Sequence, residues 1–373
     1  MSSGEKIRVM LAGPYPHPGG MAGTYGRILD NIRNSTVFRD AVEFIPHRVT
    51  LPADGSFPRR WLIDMVSGAR SLAQRPDVLH YIMQKYRAAY REFPVLTAAR
   101  AIGIRTAVDI RAGALQWMLR RKNHRLQNAI MRNLLRRSDA VIMECPKDVA
   151  FLREQFGREA LYLPNIVPEE EFRRIRPVLE PPREQRPIRL IHSGRYLFDK
   201  GTGVVLEALQ LLSQRGIETE LHLTGQGDDP ELLEMIHKSV ESPPRGTAVV
   251  DHGWDVPDLY SLLASADVFV MPSHWFGEGH PNAVSEAMMA GLAMVLTDWM
   301  HREDVVPRSG AIIVPPRDPV AVADAVERYA TDPELLTRAR RTNRRRVGER
   351  YLDSICYPEL LRLYQRLCAS PPA

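Results

Sequence analysis

Short apolar runs rich in β-branched residues alternate along the chain with segments whose apolar positions recur every three to four residues. The first pattern marks strands buried on both faces and the second marks amphipathic helices. Together they predict repeated βα units around parallel sheets, an α/β fold. In the first half, strands are expected at Ile7 to Ala12, Val42 to Ile45, Val78 to Ile82, Thr106 to Ile110, Ala140 to Met143 and Leu161 to Leu163, with helices such as Thr24 to Ile32 and Gln116 to Leu135 between them. A second series runs through Arg189 to His192, Leu221 to Leu223, Val249 to Asp251, Val268 to Met271, Met294 to Leu296 and Ile312 to Val314. Two series imply two sheets, and 373 residues at about 100 to 200 per domain point the same way.

Between the series, residues 173–188 carry Pro177, Pro181, Pro182 and Pro187 among charges, a composition unsuited to helix interiors and central strands. This stretch reads as a linker between an N-terminal domain over 1–172 and a second domain over 189–352. The final 353–373 reads as an amphipathic helix, with Ile355, Leu360, Leu361, Leu363, Tyr364 and Leu367 available for one apolar face that suits either domain. Two such domains meeting at a cleft turn the carboxyl ends of their strands toward it, where ligands bind in open sheets. Functional residues are therefore expected just after strands.

With 44% hydrophobic and 25% charged residues, the chain has the apolar content a folded protein needs. Fifty basic against 45 acidic residues leave +5, which suits a phosphorylated ligand, a lipid surface or a nucleic acid without choosing among them. Cys145, Cys356 and Cys368 are widely spaced and odd in number, neither a CxxC metal pattern nor a disulfide framework. The N-terminus carries no apolar signal segment, and no run reaches the roughly 18 apolar residues of a membrane span. The expectation is a cytoplasmic protein whose membrane contact, if any, is peripheral.

Two loops hold most of the candidate chemistry. Glu278-Gly-His-Pro-Asn-Ala-Val-Ser-Glu286 follows the strand at Val268 to Met271 and opens a helix. Pro281 suits a first turn, and the amides around Asn282 to Ser285 form a site for an anion such as phosphate. Glu286 would repel a diphosphate if aimed at it, so its ligand role is lateral, accepting hydrogen bonds from neutral hydroxyls such as those of a ribose. The structural alternative is an acid that complements the helix dipole.

The second loop is Ser193-Gly194-Arg195-Tyr-Leu-Phe-Asp199-Lys200-Gly201, after the first strand of the second domain. Arg195 can fork onto phosphate oxygens and Lys200 can act as a point charge, so the pair can neutralise a diphosphate without metal. The alternative is an exposed ion pair with Asp199 or Glu207. Gly225-Gln-Gly227 is a lone GxG, and neither a dinucleotide fingerprint nor a Walker loop is present.

In the first domain, the loop from Gly13 to Gly23 contains Gly19 and Gly20, which permit close approach to a ligand or belong to a proline-stiffened connection. Asp109-Ile-Arg111 ends the fourth strand, pointing to the cleft or forming a surface pair. Asn165 lines the cleft or forms a turn. No HExxH, EF-hand loop or strand-end Asp-x-Asp occurs, and Gly227-Asp228-Asp229-Pro230 reads as a helix start, so no metal set is expected. A Gly-x-Ser-x-Gly nucleophile elbow is also missing.

Residues 117–137 read as one basic helix, with Leu119, Leu126, Ile130 and Leu134 apolar and Arg120, Arg121, Lys122, Arg125, Arg132, Arg136 and Arg137 charged. Such a helix can lie on an anionic membrane surface or show a solvated face beside an ordinary core. A second cluster from Arg338 to Arg350 lacks the aromatic residues or module that nucleic-acid binding needs, so no nucleic-acid partner is expected.

Taken in order, these motifs resemble the GT-B-fold retaining glycosyltransferases of glycosyltransferase family four (group 1). The resemblance rests on Gly194-Arg195 through Lys200-Gly201, Leu223-Thr-Gly-Gln-Gly227, Ala266-Asp-Val-Phe-Val-Met-Pro-Ser273, Glu278 to Glu286 with Ala287-Met-Met-Ala-Gly291, and Val314-Pro-Pro-Arg-Asp318. More loosely, Gly19-Gly20, Asp77-Val-Leu-His80 and Pro164-Asn165 extend it to nearly the whole chain.

The family pattern implies two Rossmann-like domains facing across a cleft, with the last helix returning to the first domain. It implies transfer of a sugar from a UDP- or GDP-sugar to a glycan or lipid-linked acceptor, with retention and without metal or other cofactor. In this pattern Arg195 and Lys200 bind the donor diphosphate, and Glu286 binds the ribose. Glu278, with the backbone around Gly279, His280, Asn282 and Ala283, holds the transferred sugar. Gly19, Gly20, Gly194 and Gly225 complete the donor site, and Asp109 joins Arg195, Lys200 and Glu278 as the catalytic set.

Two departures stand out. Many members have a histidine where Asp109 or Arg111 stands, and the usual Gly-Gly before an acid is replaced by Trp299-Met-His-Arg-Glu303. An epimerase or hydrolase on the same fold, and a non-catalytic anion or nucleic-acid binder, remain alternatives, because fold does not fix reaction.

Overall fold

The structure, a computed structural model, describes residues 5–13, 22–47, 57–83, 89–111, 113, 115–180 and 186–369. Gly19 and Gly20 lie outside the described residues. The chain divides into two compact units, one formed by 1–168 with 353–373 and the other by 169–352.

The first unit is built on β1 (Ile7–Ala12), β2 (Val42–His47), β3 (Val78–Met83), β4 (Arg105–Ile110), β5 (Ala140–Met143) and β6 (Leu161–Tyr162). These pair in parallel in the order β2-β1-β3-β4-β5-β6. Successive side chains point to opposite faces of a strand, and both faces here are apolar. Met10, Leu79, Tyr81, Met83, Val108 and Ile110 enter one core layer. Val9, Leu11, Val78, Ile82 and Ala107 enter the other.

The C-terminal helix Asp353–Ala369 covers that second layer with Tyr357, Leu360, Leu363, Tyr364 and Leu367. Ile355 falls outside its packed face and is 43% exposed.

The second unit is built on β7 (Ile188–Arg195), β8 (Thr219–Gln226), β9 (Thr247–Asp251), β10 (Val268–Met271), β11 (Ala293–Leu296) and β12 (Ala311–Ile313). Its order is β12-β11-β10-β7-β8-β9, again parallel. Order reverses beside β7, since β8 lies on one side of it and β10 on the other. Such a switch point opens a crevice at the carboxyl ends of the strands, and the loops after β7 and β10 border it.

The single basic helix expected over 117–137 is two helices, Leu115–Arg120 and Arg125–Arg137, separated by a one-turn 3-10 helix at Lys122–His124. Arg121 adopts an extended backbone (φ −70°, ψ 119°), and its carbonyl accepts a hydrogen bond from Asn128 Nδ2 at 2.8 Å. The break rotates the second helix, so that Met131, Leu134 and Leu135 are buried while Leu126 is 64% exposed. No helix among the described residues is long and apolar enough to cross a membrane.

Candidate active site

Close backbone approach shapes the crevice of the second unit. β7 and β8 stay in register to their ends, where Gly194 pairs with Gly225. A Cβ on Gly225 would lie 1.9 Å from the Gly194 carbonyl oxygen, so a side chain there would force the strands apart. At the end of the following turn, Gly201 has φ +83°, and a Cβ would lie 2.6 Å from the Pro272 carbonyl oxygen. Glycine is required twice over, by the left-handed backbone and by the neighbouring loop. The loop after β7 is thereby held against the loop after β10.

That contact joins charges far apart in sequence. Lys200 Nζ donates to Glu278 Oε1, and the Ser273 hydroxyl donates to the same oxygen at 2.7 Å. Thr297 in turn donates to the Ser273 carbonyl, tying in the loop after β11. The Lys200 side chain is 18% exposed and that of Glu278 is 5% exposed. Of three ammonium donors, this contact uses one. The Arg195 guanidinium lies 5.7 Å from the centre of the Trp275 ring, within reach of a cation–π interaction, and Trp275 stacks on Phe276. The alternative partners of Lys200, Asp199 and Glu207, give way to Glu278.

Helix Asn282–Met289 begins directly after this loop. The Val284 and Ser285 amides bond back to the Pro281 carbonyl. Asn282 and Ala283 are then the positions whose N–H groups have no carbonyl within the helix to meet. Glu286 is buried at the fifth helical position, and the first turn holds no acid, so the dipole explanation for it does not apply. Gly279 accepts the Trp299 indole N–H at its carbonyl. The His280 ring is buried, with Nε2 2.6 Å from Ser285 Oγ and the ring edge-to-face with Tyr351, so its side chain belongs to the packing of the helix start.

One supporting residue was not anticipated. His192 on β7 is buried, and its Nδ1 lies 2.8 Å from the Val270 carbonyl, which can only accept. Nε2 is then left to accept from the Thr202 hydroxyl at 3.0 Å. Burial pushes this imidazole down to about 4, the Val270 contact only partly opposing it. A neutral ring thus pins β7, β10 and the helix start at Thr202 together.

Asp109 sits in the other unit, and the alternative of a surface pair with Arg111 does not hold. It is fully buried, with Arg111 Nε 2.7 Å from Oδ1 and Arg111 Nη2 donating to Oδ2 at 2.8 Å. His80 Nε2 lies 3.3 Å from the same carboxylate, and His80 Nδ1 is 2.6 Å from the Tyr364 hydroxyl. Burial alone would raise the Asp109 pKa, but the Arg111 charge and the His80 contact outweigh it and hold the carboxyl below its ordinary value. Arg111 also donates to the Leu163 carbonyl and to Asn165 Oδ1, so Asn165 joins this buried network rather than serving only as a turn residue. The Asn165 and Tyr364 contacts carry no local signal, because they depend on how β4, β6 and the last helix meet.

Two family models match the chain: "Glycosyl transferase 4-like domain" over residues 18–165 and "Glycosyl transferases group 1" over residues 187–332. Among curated proteins, the phosphatidyl-myo-inositol mannosyltransferase of Mycolicibacterium smegmatis is 31% identical over 215 residues, 57% of this chain and 53% of that protein. The glycogen synthase of Mycobacterium tuberculosis is 30% identical over 163 residues, 43% of this chain and 38% of that protein. The matched stretches span about half of these relatives or less. Among solved structures, sucrose-phosphate synthase from Thermosynechococcus elongatus superposes with a TM-score of 0.74 at 17% identity, covering 98% of this chain and 100% of that one. HepE from Anabaena, in complex with UDP and glucose, superposes with a TM-score of 0.70 at 13% identity, covering 96% and 100%. Both sheets share the parallel α/β architecture of these neighbours, and the two models together take in both units. The chain belongs to the GT-B glycosyltransferases of family four, group 1.

Proposed function

We propose that the protein transfers a sugar from a nucleoside-diphosphate donor, a UDP- or GDP-sugar, to a glycan or lipid-linked acceptor, with retention of configuration and without a metal ion. The observation that carries this reading is the Lys200–Glu278–Ser273 cluster at the strand ends of the unit matched by the group 1 model. Lys200 is neutralised by an acid yet keeps donors to spare, so a diphosphate can share or displace Glu278. The carboxylate so released accepts hydrogen bonds from sugar hydroxyls, and Glu286 does the same for the ribose. Arg195 can keep its cation–π contact with Trp275 while the edge of its guanidinium meets phosphate oxygens. The UDP and glucose bound to the HepE neighbour support a nucleotide-sugar donor.

In the step we infer, the acceptor hydroxyl approaches the anomeric carbon on the face the diphosphate leaves. The bond from that carbon to the β-phosphate oxygen breaks as the new glycosidic bond forms, and the departing phosphate takes the acceptor proton. Lys200 and Arg195 stabilise the charge that develops on it, which is electrostatic and positional catalysis. Asp109 is the buried counter-ion that fixes Arg111 within the first unit.

For the acceptor, the lipid named for the phosphatidyl-myo-inositol mannosyltransferase and the polysaccharide named for the amylovoran biosynthesis glycosyltransferase of Erwinia amylovora support a glycan or lipid-linked substrate. Exposed Arg120, Arg121, Arg125, Arg136 and Arg137, beside exposed Trp117 and Leu126, suit peripheral contact with an anionic cytoplasmic membrane face. Product analysis with a labelled donor tests the reaction. Label on an acceptor supports transfer, whereas an isomerised or free sugar contradicts it. Activity should survive chelator, and equal partitioning to anionic and neutral vesicles would remove the membrane component.

A further inference from the structure

Arg317 holds a backbone conformation that side chains rarely adopt, with φ +59°. It lies in Pro315-Pro316-Arg317-Asp318-Pro319, between β12 and helix Pro319–Thr331. Pro316 and Arg317 form a turn, and a proline-led turn with positive φ at its second central residue favours glycine there. The next residue, Asp318, caps the helix by accepting the Ala321 amide at 2.9 Å, so the backbone is fixed by its neighbours and a glycine would fit it without strain. An arginine kept at such a position directs attention to what its side chain does.

The side chain reaches the loop after β10. Arg317 Nε lies 3.1 Å from His274 Nε2. Asp199 Oδ1 lies 3.1 Å from that same nitrogen, which therefore sits between a guanidinium and a carboxylate. His274 also donates its backbone N–H to the Asp199 carbonyl at 2.8 Å. Asp199 and Lys200 share the one-turn helix Phe198–Lys200. The loops after β12, β10 and β7 are therefore linked in series, Arg317 to His274 to Asp199, ending beside the ammonium that contacts Glu278.

We propose that Arg317 is a positioning residue for the donor diphosphate, holding through His274 the turn that presents Lys200. This assignment rests on the nucleotide-sugar reading above. It is tested by calorimetric titration of the full chain with UDP, GDP, uridine and guanosine, alongside thermal melting. Arg317→Gly relieves the strained backbone, so it should melt at or above the temperature of the unaltered protein. Its affinity for the bound nucleoside diphosphate should nonetheless fall about tenfold, the scale of one charged hydrogen bond, while affinity for the corresponding nucleoside stays unchanged. His274→Gln should lose a comparable factor, and the double variant no more than either alone, because both break one chain.

Unchanged diphosphate affinity in Arg317→Gly overturns the assignment. So does an equal loss for nucleoside and diphosphate, which marks general loosening, and so do losses that add in the double variant, which mark an independent contact. Should the unaltered protein bind neither UDP nor GDP, the donor reading fails and this assignment fails with it. Binding by the unaltered protein without an Arg317 effect sinks the assignment alone.

Discussion

Both units carry an ion pair at the carboxyl end of a parallel strand, and the two pairs differ in what they leave over. The Asp109 and Arg111 side chains are 0% and 2% exposed, and their neighbours His80, Asn165 and Tyr364 close the network from within one unit. Lys200 and Glu278 are also paired, but the ammonium remains 18% exposed with donors beyond the one Glu278 takes. Taking charges out of water costs several kcal/mol per ion and is offset only by good partners, so the first pair is committed to structure. The second retains binding capacity that a phosphate can use. A charge at a strand end is thus not by itself a ligand site; hydrogen-bonding capacity that stays reachable makes it one.

The largest expected effect is at Asp109. Asp109→Ala strands the Arg111 guanidinium without its main counter-ion, and urea unfolding should show a loss of about 3–5 kcal/mol. A cost below about 1 kcal/mol would mean that the first pair is not sealed as described.

Acid offers the next largest effect and sharpens the contrast between two buried histidines. His80 faces a carboxylate, whereas His192 faces only a carbonyl and a hydroxyl. With its folded value depressed from 6.5 to about 4, His192 lets the unfolded chain take up a proton first as pH falls. Its stabilisation is complete above about pH 6.5 and is lost between there and about pH 4, roughly 3 kcal/mol in all. Asp109, also depressed, loses stability in the same direction at lower pH, so the difference from a His192→Gln variant isolates the histidine. Identical pH profiles for the two proteins would contradict the assignment.

Lys200→Ala should separate function from fold. Removing one transition-state cation typically costs on the order of a hundredfold in turnover, and the loss here should be at least about tenfold in a variant that circular dichroism shows to be folded. Normal turnover by that variant would place the leaving group elsewhere. Glu286→Gln should have the smallest effect, a few-fold loss in nucleotide affinity that disappears with a 2′-deoxy, 3′-deoxy nucleotide, because a neutral amide still accepts hydrogen bonds. An equal loss for both nucleotides would detach Glu286 from the ribose.

Strands were the most legible part of the sequence. β1, β5 and β10 have the bounds expected from it, because a parallel strand buried on both faces is a short apolar run closed by turn residues. The break at Arg121 was not legible. No proline or glycine marks it, and the extended backbone there accompanies a hydrogen bond from Asn128, seven residues on. Within the candidate site, the order of Gly194, Lys200, Glu278 and Glu286 after strands was readable, whereas the partner of Lys200 was not, since Glu278 lies 78 residues away. The glycines of Gly225-Gln-Gly227 carried little weight as a motif. Their reason is steric, the passage of β8 beside Gly194 and of Gly227 beside Tyr196, and only the paired strands show it.

The most direct test of the account is titration of the unaltered protein and of Lys200→Ala with UDP and with GDP, followed by calorimetry. The unaltered protein should bind at least one of the two, and Lys200→Ala, still folded, should bind it at least about tenfold more weakly. Equal affinity in the two proteins, or no binding of either nucleotide by the unaltered one, would contradict it.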